Sequence, residues 1–191
     1  MKAVGIVGSP RKNGNTEILT KHTLKAIEGE GLDTELIRLA GLDIRPCNAC
    51  MVCRNNGGQC PIDDDLLPIY TKMKEADAVI LASPVYFGSA TAQIKALMDR
   101  TGYMSYDTRP FAGKVGGPLV VARRAGQNFT FAQLMYWFHI LGFFMPGSTY
   151  WNIAFGRKEG EVKEDEEGLT TAWNFGKNIA LLVKKINTQA G

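Results

Sequence analysis

The stretch Lys2–Thr16, KAVGIVGSPRKNGNT, joins a short apolar run to a polar turn that contains two glycines. The run predicts a buried strand over Lys2–Gly8, and the apolar residues at helical spacing beyond Thr16 predict a helix after the turn. Asp77–Ser83, DAVILAS, is a near-continuous apolar run, typical of a parallel strand that is covered on both faces. Strands that alternate with helices in this way predict an α/β domain built on a doubly wound sheet.

The alternation continues along the rest of the chain. Three further strands are predicted at Asp33–Ala40, Gly117–Arg123 and Phe143–Ser148, and helices are predicted at about 63–76, 91–102, 130–142 and towards the C-terminus, ending near Asn187. We therefore expect a single domain over residues 1–191 with a cysteine-rich insertion at about 41–62. The polar segment Gly156–Gly168 is interpreted as a solvated loop before the last helix.

The composition excludes some classes of function. The 191 residues include 22 basic and 19 acidic side chains, a net charge of only +3, and no run of lysine and arginine accompanies it. We therefore expect no nucleic-acid partner. The first apolar run is too short for a signal sequence or a membrane span. We therefore expect a cytoplasmic protein that has no membrane partner. A reducing compartment disfavours stable disulfides and favours metal or redox chemistry for the cysteines.

The first strand-to-helix turn, Gly8–Thr16, has the composition of a phosphate site. A helix N-terminus offers free N–H groups and a positive dipole end, and the turn adds hydroxyl, amide and guanidinium groups. The turn differs from the nucleotide P-loop because Asn15 stands where that motif requires lysine. An ordinary helix cap with a surface arginine is the alternative. The candidate phosphate-binding residues are Ser9, Arg11, Asn13, Asn15 and Thr16.

The turn after the third strand, Pro84–Gly88, suits a flat ring. In a doubly wound sheet, ligands bind at the carboxyl ends of the strands where the strand order reverses. Tyr86 and Phe87 either face such a ring or simply pack over the sheet edge. A phosphate at one turn and a planar heterocycle at the other together describe FMN.

All four cysteines lie in CNACMVCRNNGGQCP, residues 47–61, with the spacing C-x2-C-x2-C-x6-C. Three closely spaced thiolates on one compact loop suit the corners of an iron-sulfur cube, whereas zinc usually takes two separated pairs. The last gap is six residues rather than the three of bacterial ferredoxins, and Gly57 and Gly58 give the backbone the reach to close it. Zinc and dithiol or disulfide chemistry remain alternatives. The candidate ligands are Cys47, Cys50, Cys53 and Cys60.

GSPRKNGNT, SPVYFGSATAQIKALMDR and the cysteine loop between them resemble the iron-sulfur flavoprotein family, a branch of the flavodoxin-like NADPH-dependent FMN reductases. The resemblance implies strand order 2-1-3-4-5, one FMN, one 4Fe-4S cluster and a dimer-of-dimers assembly. It places the phosphate contacts on the first turn and the isoalloxazine contacts on Pro84, Val85, Tyr86, Phe87 and Gly88. It implies a third flavin-binding segment at Ala122, Arg123 and Arg124, where two arginines replace the small residues that the family pattern leads us to expect.

The expected function is electron transfer between the cluster and FMN, which couples a one-electron donor such as ferredoxin to a one- or two-electron acceptor. No side chain is expected to act as a general acid or a nucleophile. The alternatives are an NAD(P)H-dependent FMN, quinone or azo reductase with structural zinc, and a non-catalytic shuttle of the flavodoxin kind. The loop leaves the sheet edge that should hold FMN, yet the strand order implies a separation on the order of 10–15 Å within one chain. We therefore expect a homo-oligomer, dimer or tetramer, in which the cluster faces the flavin of a neighbouring subunit.

Overall fold

A computed structural model describes residues 1–189 of the chain; residues 190 and 191, which the predicted domain includes, lie outside the described part. Five strands form an all-parallel sheet in the order β2-β1-β3-β4-β5, which confirms the predicted flavodoxin-like architecture. The strands are β1 (Lys2–Val7), β2 (Asp33–Arg38), β3 (Ala78–Pro84), β4 (Val115–Ala122) and β5 (Ile153–Phe155). The helices are α1 (Asn15–Gly29), α2 (Val52–Asn55), α3 (Leu66–Glu75), α4 (Ala92–Ser105), α5 (Gln127–Ile140) and α6 (Glu166–Gln189).

Helices cover both faces of the sheet. On one face, α1 and α6 pack together over the strands, and Phe175 of α6 is fully buried there. On the other face, α3, α4 and α5 enclose a core that contains Phe111, Trp137 and Phe143. All eight residues of β4 are buried, as is expected of a central parallel strand between two helical layers.

The fifth strand is not where the sequence pattern placed it. The prediction of a strand at Phe143–Ser148 is wrong, because this segment makes only one bridge, between Phe144 and Val115 at the start of β4. Phe143 packs instead in the aromatic core, 5.3 Å from Phe111 between ring centroids. The true β5 lies nearer the C-terminus and pairs with the last three residues of β4. Burial of Phe143 in the core therefore outweighed its propensity for a strand.

Two short helical segments lie in regions that the sequence pattern left irregular. The helix α2 interrupts the cysteine loop and carries Cys53. A 3-10 helix at Glu161–Glu164 lies within the segment interpreted as a solvated loop, and its Val162 is fully buried. That interpretation is corrected for this part of the segment. Within residues 1–189, no helix is both long and apolar enough to cross a membrane.

Candidate functional site

The turn between β1 and α1 has the geometry that a candidate anion site requires. The residue before the first turn of α1 is Gly14, and no side chain caps the helix there. The leading N–H groups of α1 therefore have no side-chain partner at this end. Ser9 and Thr16 are almost fully buried beside them, and the Ser9 hydroxyl accepts a hydrogen bond from the N–H of Arg11 at 3.2 Å. The alternative of an ordinary side-chain cap does not match this geometry.

The buried carboxylate of Glu17 fixes the backbone of the turn by a hydrogen bond. Glu17, fully buried in the first turn of α1, accepts the N–H of Asn13 at 2.9 Å, and Asn13 has a positive φ of 55°. Arg38, at the end of β2, donates from Nε and Nη2 at 2.8 and 2.6 Å, and Lys21 forms an ion pair at 2.6 Å. The hydrogen bonds from Arg38 are the main reason that the pKa of Glu17 falls to about 2. Glu17 therefore stays ionised and fixes the turn.

The turn that follows β3 is tied directly to the first turn. The Thr91 hydroxyl donates to the carbonyl oxygen of Gly8 at 2.8 Å, and the Thr91 N–H donates to the Ser83 hydroxyl at 3.1 Å. Residues Tyr86 and Ser89 bridge each other in a tight turn, and Gln133 of α5 accepts hydrogen bonds from Ser89 and Ala90. Both turns are consequently held in one fixed arrangement at the carboxyl edge of the sheet.

A cavity of about 540 Å³ lies between these turns. Its wall combines first-turn groups, the residues that follow β3 and a set of basic side chains. The lining residues are Ser9, Arg11, Asn15, Thr16, Pro84, Val85, Tyr86, Val121, Arg123, Gly156, Arg157 and Lys158. The wall contains both hydroxyl, amide and guanidinium groups and apolar or aromatic side chains, a combination that suits a ligand with a phosphate and a planar ring.

Eight of the thirteen predicted FMN-binding residues line this cavity, namely Ser9, Arg11, Asn15, Thr16, Pro84, Val85, Tyr86 and Arg123. Among the others, Phe87 is fully exposed at φ 51°, Gly88 has φ 79°, and Ala122 is buried in β4. Asn13 takes part through its backbone bond to Glu17. Arg124 lines a neighbouring cavity of about 390 Å³, together with Arg123 and Arg157.

Sequence reasoning missed the contribution of the loop after β5. Gly156, Arg157 and Lys158 complete the cavity wall. The loop is fastened from both sides: the Asn15 amide donates to the carbonyl oxygen of Lys158 at 2.8 Å, and Glu161 accepts the N–H groups of Arg157 and Lys158. Those two backbone bonds lower the pKa of Glu161. Two adjacent basic residues just after a strand, Arg157 and Lys158, could have indicated an anion-binding loop. Recognising them required the correct position of β5.

The four cysteines line a second, smaller cavity together with Arg100 and Tyr103. All four thiols are free; Cys53 is buried, Cys50 is exposed, and Cys47 and Cys60 are half-buried. Burial, followed by the neighbouring cysteines, raises the pKa of the Cys53 thiol. A thiolate at this position therefore requires a positive partner, which a metal centre or a cation provides.

The cysteine side chains are not drawn in around a single ion. A tetrahedral zinc with Zn–S distances of about 2.3 Å would bring its thiolates within roughly 4 Å of one another. Within residues 1–189, no group of three or more His, Cys, Asp or Glu side chains reaches an arrangement that could hold one metal ion.

The helix α4 extends from the turn after β3 to the cysteine loop. It begins next to the Pro84–Thr91 segment, and its side chain at Arg100 reaches the Cys60 sulfur at 3.3 Å. Arg100 lies eight residues beyond Ala92, on the order of 12 Å along the helix axis. The cysteine loop leaves the carboxyl edge of β2 but runs back along α4. That both cofactors share one edge of the sheet stays a prediction.

Comparison with known proteins shows which family the sequence matches. A family model described as NADPH-dependent FMN reductase matches residues 1–158. The chain is similar to an iron-sulfur flavoprotein of Methanocaldococcus jannaschii, with 43% identity across 97% of this chain and 99% of that protein. It is also similar to an iron-sulfur flavoprotein of Methanosarcina thermophila, with 35% identity across 97% of both chains.

Among solved structures, RosB with bound 8-demethyl-8-formylriboflavin-5'-phosphate superimposes with a TM-score of 0.81, covering 100% of this chain and 82% of RosB. The two sequences are 21% identical, and the likeness therefore shows the fold alone.

Proposed function

Because this chain belongs to the NADPH-dependent FMN reductase family, we propose that it is an iron-sulfur flavoprotein that transfers electrons between a 4Fe-4S cluster and FMN. Membership of the family makes it an FMN-dependent oxidoreductase. The observation that carries the finer proposal is the presence of two separate cavities, one with phosphate-binding and ring-binding walls and one lined by all four cysteines. The name carried by the M. jannaschii relative supports the second cofactor.

The first cavity fits FMN. The first-turn N–H groups of α1, with Ser9 and Thr16, would hold the phosphate, and Arg11 would add a charge-assisted bond. Pro84, Val85 and Tyr86 would lie against the ring. The wall holds four basic residues, Arg11, Arg123, Arg157 and Lys158, and this excess of positive charge matches a dianionic phosphate.

The side chains that line the second cavity match an anionic cluster in their chemistry. Cys47, Cys50, Cys53 and Cys60 supply four thiolate ligands, the usual number for a 4Fe-4S cluster. The buried guanidinium of Arg100 lies beside Cys60, where it compensates negative charge on the sulfur. The local backbone is adapted to the loop, since Ala49 and Met51 have positive φ angles of 55° and 61°.

When bound, the cluster exchanges one electron at a time and FMN one or two, so that a one-electron donor such as ferredoxin is coupled to a one- or two-electron acceptor. The protein's own part is to bind each group, to set its surroundings and to hold the two at a fixed separation. No general acid or nucleophile is assigned. We place this chemistry in the cytoplasm, where reduced thiols persist.

The separation along α4 favours transfer between subunits. Within one chain, Arg100, which contacts the cysteine loop, lies on the order of 12 Å along α4 from Ala92, the first residue of the helix after the proposed flavin turn. An oligomer that brings the cysteine loop against a neighbour's flavin cavity shortens the path. We therefore propose a homo-oligomer, dimer or tetramer, in which each cluster serves the flavin of an adjacent subunit.

Anaerobic purification with an absorption spectrum, and with iron, sulfide and flavin analysis, tests the proposal. We expect flavin bands with a broad shoulder near ~400 nm and four iron atoms per chain. The Cys50→Ala variant should lose iron and retain FMN, because Cys50 is a proposed iron ligand that does not line the flavin cavity. A yellow protein that contains zinc and no iron would instead identify a reductase with structural zinc.

A donor and acceptor panel completes the test. Bleaching of the holoprotein by reduced ferredoxin, but not by NADPH, is the expected result. Rapid bleaching by NADPH would contradict it and would favour the NAD(P)H-dependent reductase. Reduction without turnover of any acceptor would favour a simple shuttle.

A further inference from the structure

Arg100 is a buried cation that no flavin-binding role accounts for. Its side chain is 1% exposed, and it lies on α4 opposite Asp64, whose side chain is fully buried. The two form an ion pair through Nη1 and Oδ2. Burying two charges is unfavourable unless further hydrogen bonds satisfy them, so a pair of this kind in a protein core needs a specific reason.

The guanidinium ties together the two ends of the cysteine loop. Nη1 donates to the carbonyl oxygen of Arg45, just before Cys47, at 3.2 Å. Nη2 donates to the carbonyl oxygen of Ile62, just after Cys60, at 3.2 Å. Asp64 extends the same network by accepting the N–H of Arg45 at 2.9 Å. One side chain on a rigid helix therefore closes the base of the loop that carries all four cysteines.

The same guanidinium contacts a sulfur atom. Nη2 lies 3.3 Å from the Cys60 Sγ, and Arg100 lines the cysteine cavity. Its Nε is buried and has no hydrogen-bond partner within the described residues. A buried donor without a partner costs about 1–3 kcal/mol, so this N–H is expected to find an acceptor in the loaded protein. A sulfur-rich, negatively charged group in the adjoining cavity is such an acceptor.

We propose that Arg100 is a positioning residue that closes the cysteine loop and raises the reduction potential of the cluster held there. This inference rests on the proposed iron-sulfur function. A positive charge and hydrogen bonds to ligand sulfur stabilise the reduced, more negative form of a cluster, which moves the midpoint potential upwards. Because Asp64 offsets the charge of Arg100, the effect is carried mainly by the contact of Nη2 with the Cys60 sulfur, 3.3 Å away.

The test compares variants of the holoprotein after anaerobic reconstitution. Arg100→Gln removes the charge, Arg100→Lys keeps the charge but not the planar fork, and Asp64→Asn is combined with Arg100→Gln to avoid an unpaired buried carboxylate. Arg54→Gln is the matched control, because Arg54 lies on the cysteine loop, is paired with Asp107 and is more exposed than Arg100. Iron and sulfide per chain, FMN content and the cluster midpoint from a redox titration followed by electron paramagnetic resonance are measured for each.

We expect the midpoint of Arg100→Gln and of the double variant to move to more negative potential, with a smaller shift in Arg100→Lys and none in Arg54→Gln. Loss of iron from Arg100→Gln with FMN retained, and its recovery in Arg100→Lys, also supports the proposal. A wild-type midpoint in iron-loaded Arg100→Gln would overturn it, as would an equal shift in Arg54→Gln or loss of FMN together with iron. Wild-type protein that takes up no iron would overturn the proposed function instead.

Discussion

Among single residues, Glu17 does the most to shape the phosphate turn. It is an acidic side chain directly behind a site for an anion, an arrangement that would oppose phosphate binding if its charge were free. Arg38 and Lys21 neutralise it, and its remaining bond fixes the backbone of Asn13. The carboxylate therefore acts as a support for the turn and not as a competitor for the site.

Replacement of Glu17 by glutamine should reduce stability at neutral pH, on the order of 2 kcal/mol. The folded pKa of about 2 lies below the ordinary value of 4.5, so ionised Glu17 stabilises the fold above about pH 4.5. That contribution is lost as the pH falls towards 2. Urea denaturation should accordingly show a difference between wild type and Glu17→Gln that narrows from pH 7 to pH 3.

Glu28→Gln serves as the control for this measurement, because Glu28 is exposed on the same helix. We expect it to change the unfolding free energy little at either pH. A difference between wild type and Glu17→Gln that stays constant from pH 7 to pH 3 would show that the charge of Glu17 is unimportant.

Arg11 offers a second test at this scale. Its guanidinium lines the flavin cavity, whereas Lys12 is exposed on the same turn and lies outside the cavity wall. Arg11→Ala should raise the FMN dissociation constant roughly 10- to 100-fold, since a hydrogen bond to a charged group is worth about 1.5–3 kcal/mol. Lys12→Ala removes the same charge and should change it by less than about threefold. Flavin fluorescence titration of the apoprotein gives the FMN dissociation constant of each variant. Equal increases in Arg11→Ala and Lys12→Ala would show that Arg11 acts only through its charge and makes no specific bond to the phosphate.

Among the secondary-structure elements, α4 organises both sites. Thr91, the residue that caps its N-terminus, is hydrogen-bonded to Gly8 in the turn after β1. Arg100, in its C-terminal half, contacts Cys60 of the cysteine loop. Gly8 approaches Ile94 so closely that a side chain at position 8 would collide with it. A shift of this helix would therefore change both cavities together.

The cysteine loop provides the test of this dependence. A side chain at Gly58 would collide with the carbonyl oxygen of Met104 on α4, whereas one at Gly57 would meet no atom within 4 Å. Both glycines have positive φ angles, 88° and 72°, so alanine strains the backbone at either position. Gly58→Ala should lower iron uptake more than Gly57→Ala, because the overlap adds roughly 1–3 kcal/mol of strain, and both should retain wild-type FMN affinity.

Iron analysis after reconstitution and an FMN titration measure the two effects separately. Equal loss of iron in Gly58→Ala and Gly57→Ala would show that contact with α4 does not hold the loop. Loss of FMN in either variant would show that the two sites are not independent.

At the scale of the whole molecule, an apolar surface lies beside the cysteine loop. Tyr136 and Ile140 of α5 are 73% and 61% exposed, and Tyr106 and Met51 are 54% and 44% exposed. Ile140, Tyr106 and Met51 border a cavity of about 410 Å³. Neighbouring residues of the same helix, Trp137 and Phe138, are buried in the core. The helix α5 therefore has one face in the core and one exposed apolar face, which we propose contacts a second copy of the chain.

On the proposed function, Ile140→Glu should give a species smaller than the proposed homo-oligomer and slow electron transfer from cluster to flavin, because it places a charge in the apolar surface. Leu181→Glu is the matched control, since Leu181 is 51% exposed on α6 in the other helical layer. Light scattering after size-exclusion chromatography gives the mass, and stopped-flow reduction gives the rate. An unchanged mass in Ile140→Glu, or the same change in Leu181→Glu, would rule out this surface as the interface.

Several features were predictable because they depend on local pattern. The buried runs of β1 and β3 and the glycine-containing turn after β1 were enough to predict a doubly wound sheet and a phosphate-binding turn. The fifth strand was misplaced because Phe143 and Phe144 have strong strand propensity but meet an aromatic core. That error also hid Arg157 and Lys158, which reach the flavin cavity only through the position of β5. A single domain over residues 1–191 stays a prediction.

The sequence by itself determined the alternation of strands and helices up to β4, the four-cysteine loop and most of the residues that line the proposed flavin cavity. These depend on spacing along the chain and on the fixed handedness of parallel connections. Only the tertiary structure decided that Arg100 lies between Arg45, Ile62 and Cys60 and that Glu17 is neutralised by Arg38. Each of these relations joins residues from separate elements. Which of them meet depends on how the helices pack on the sheet, a property that no local stretch of sequence contains.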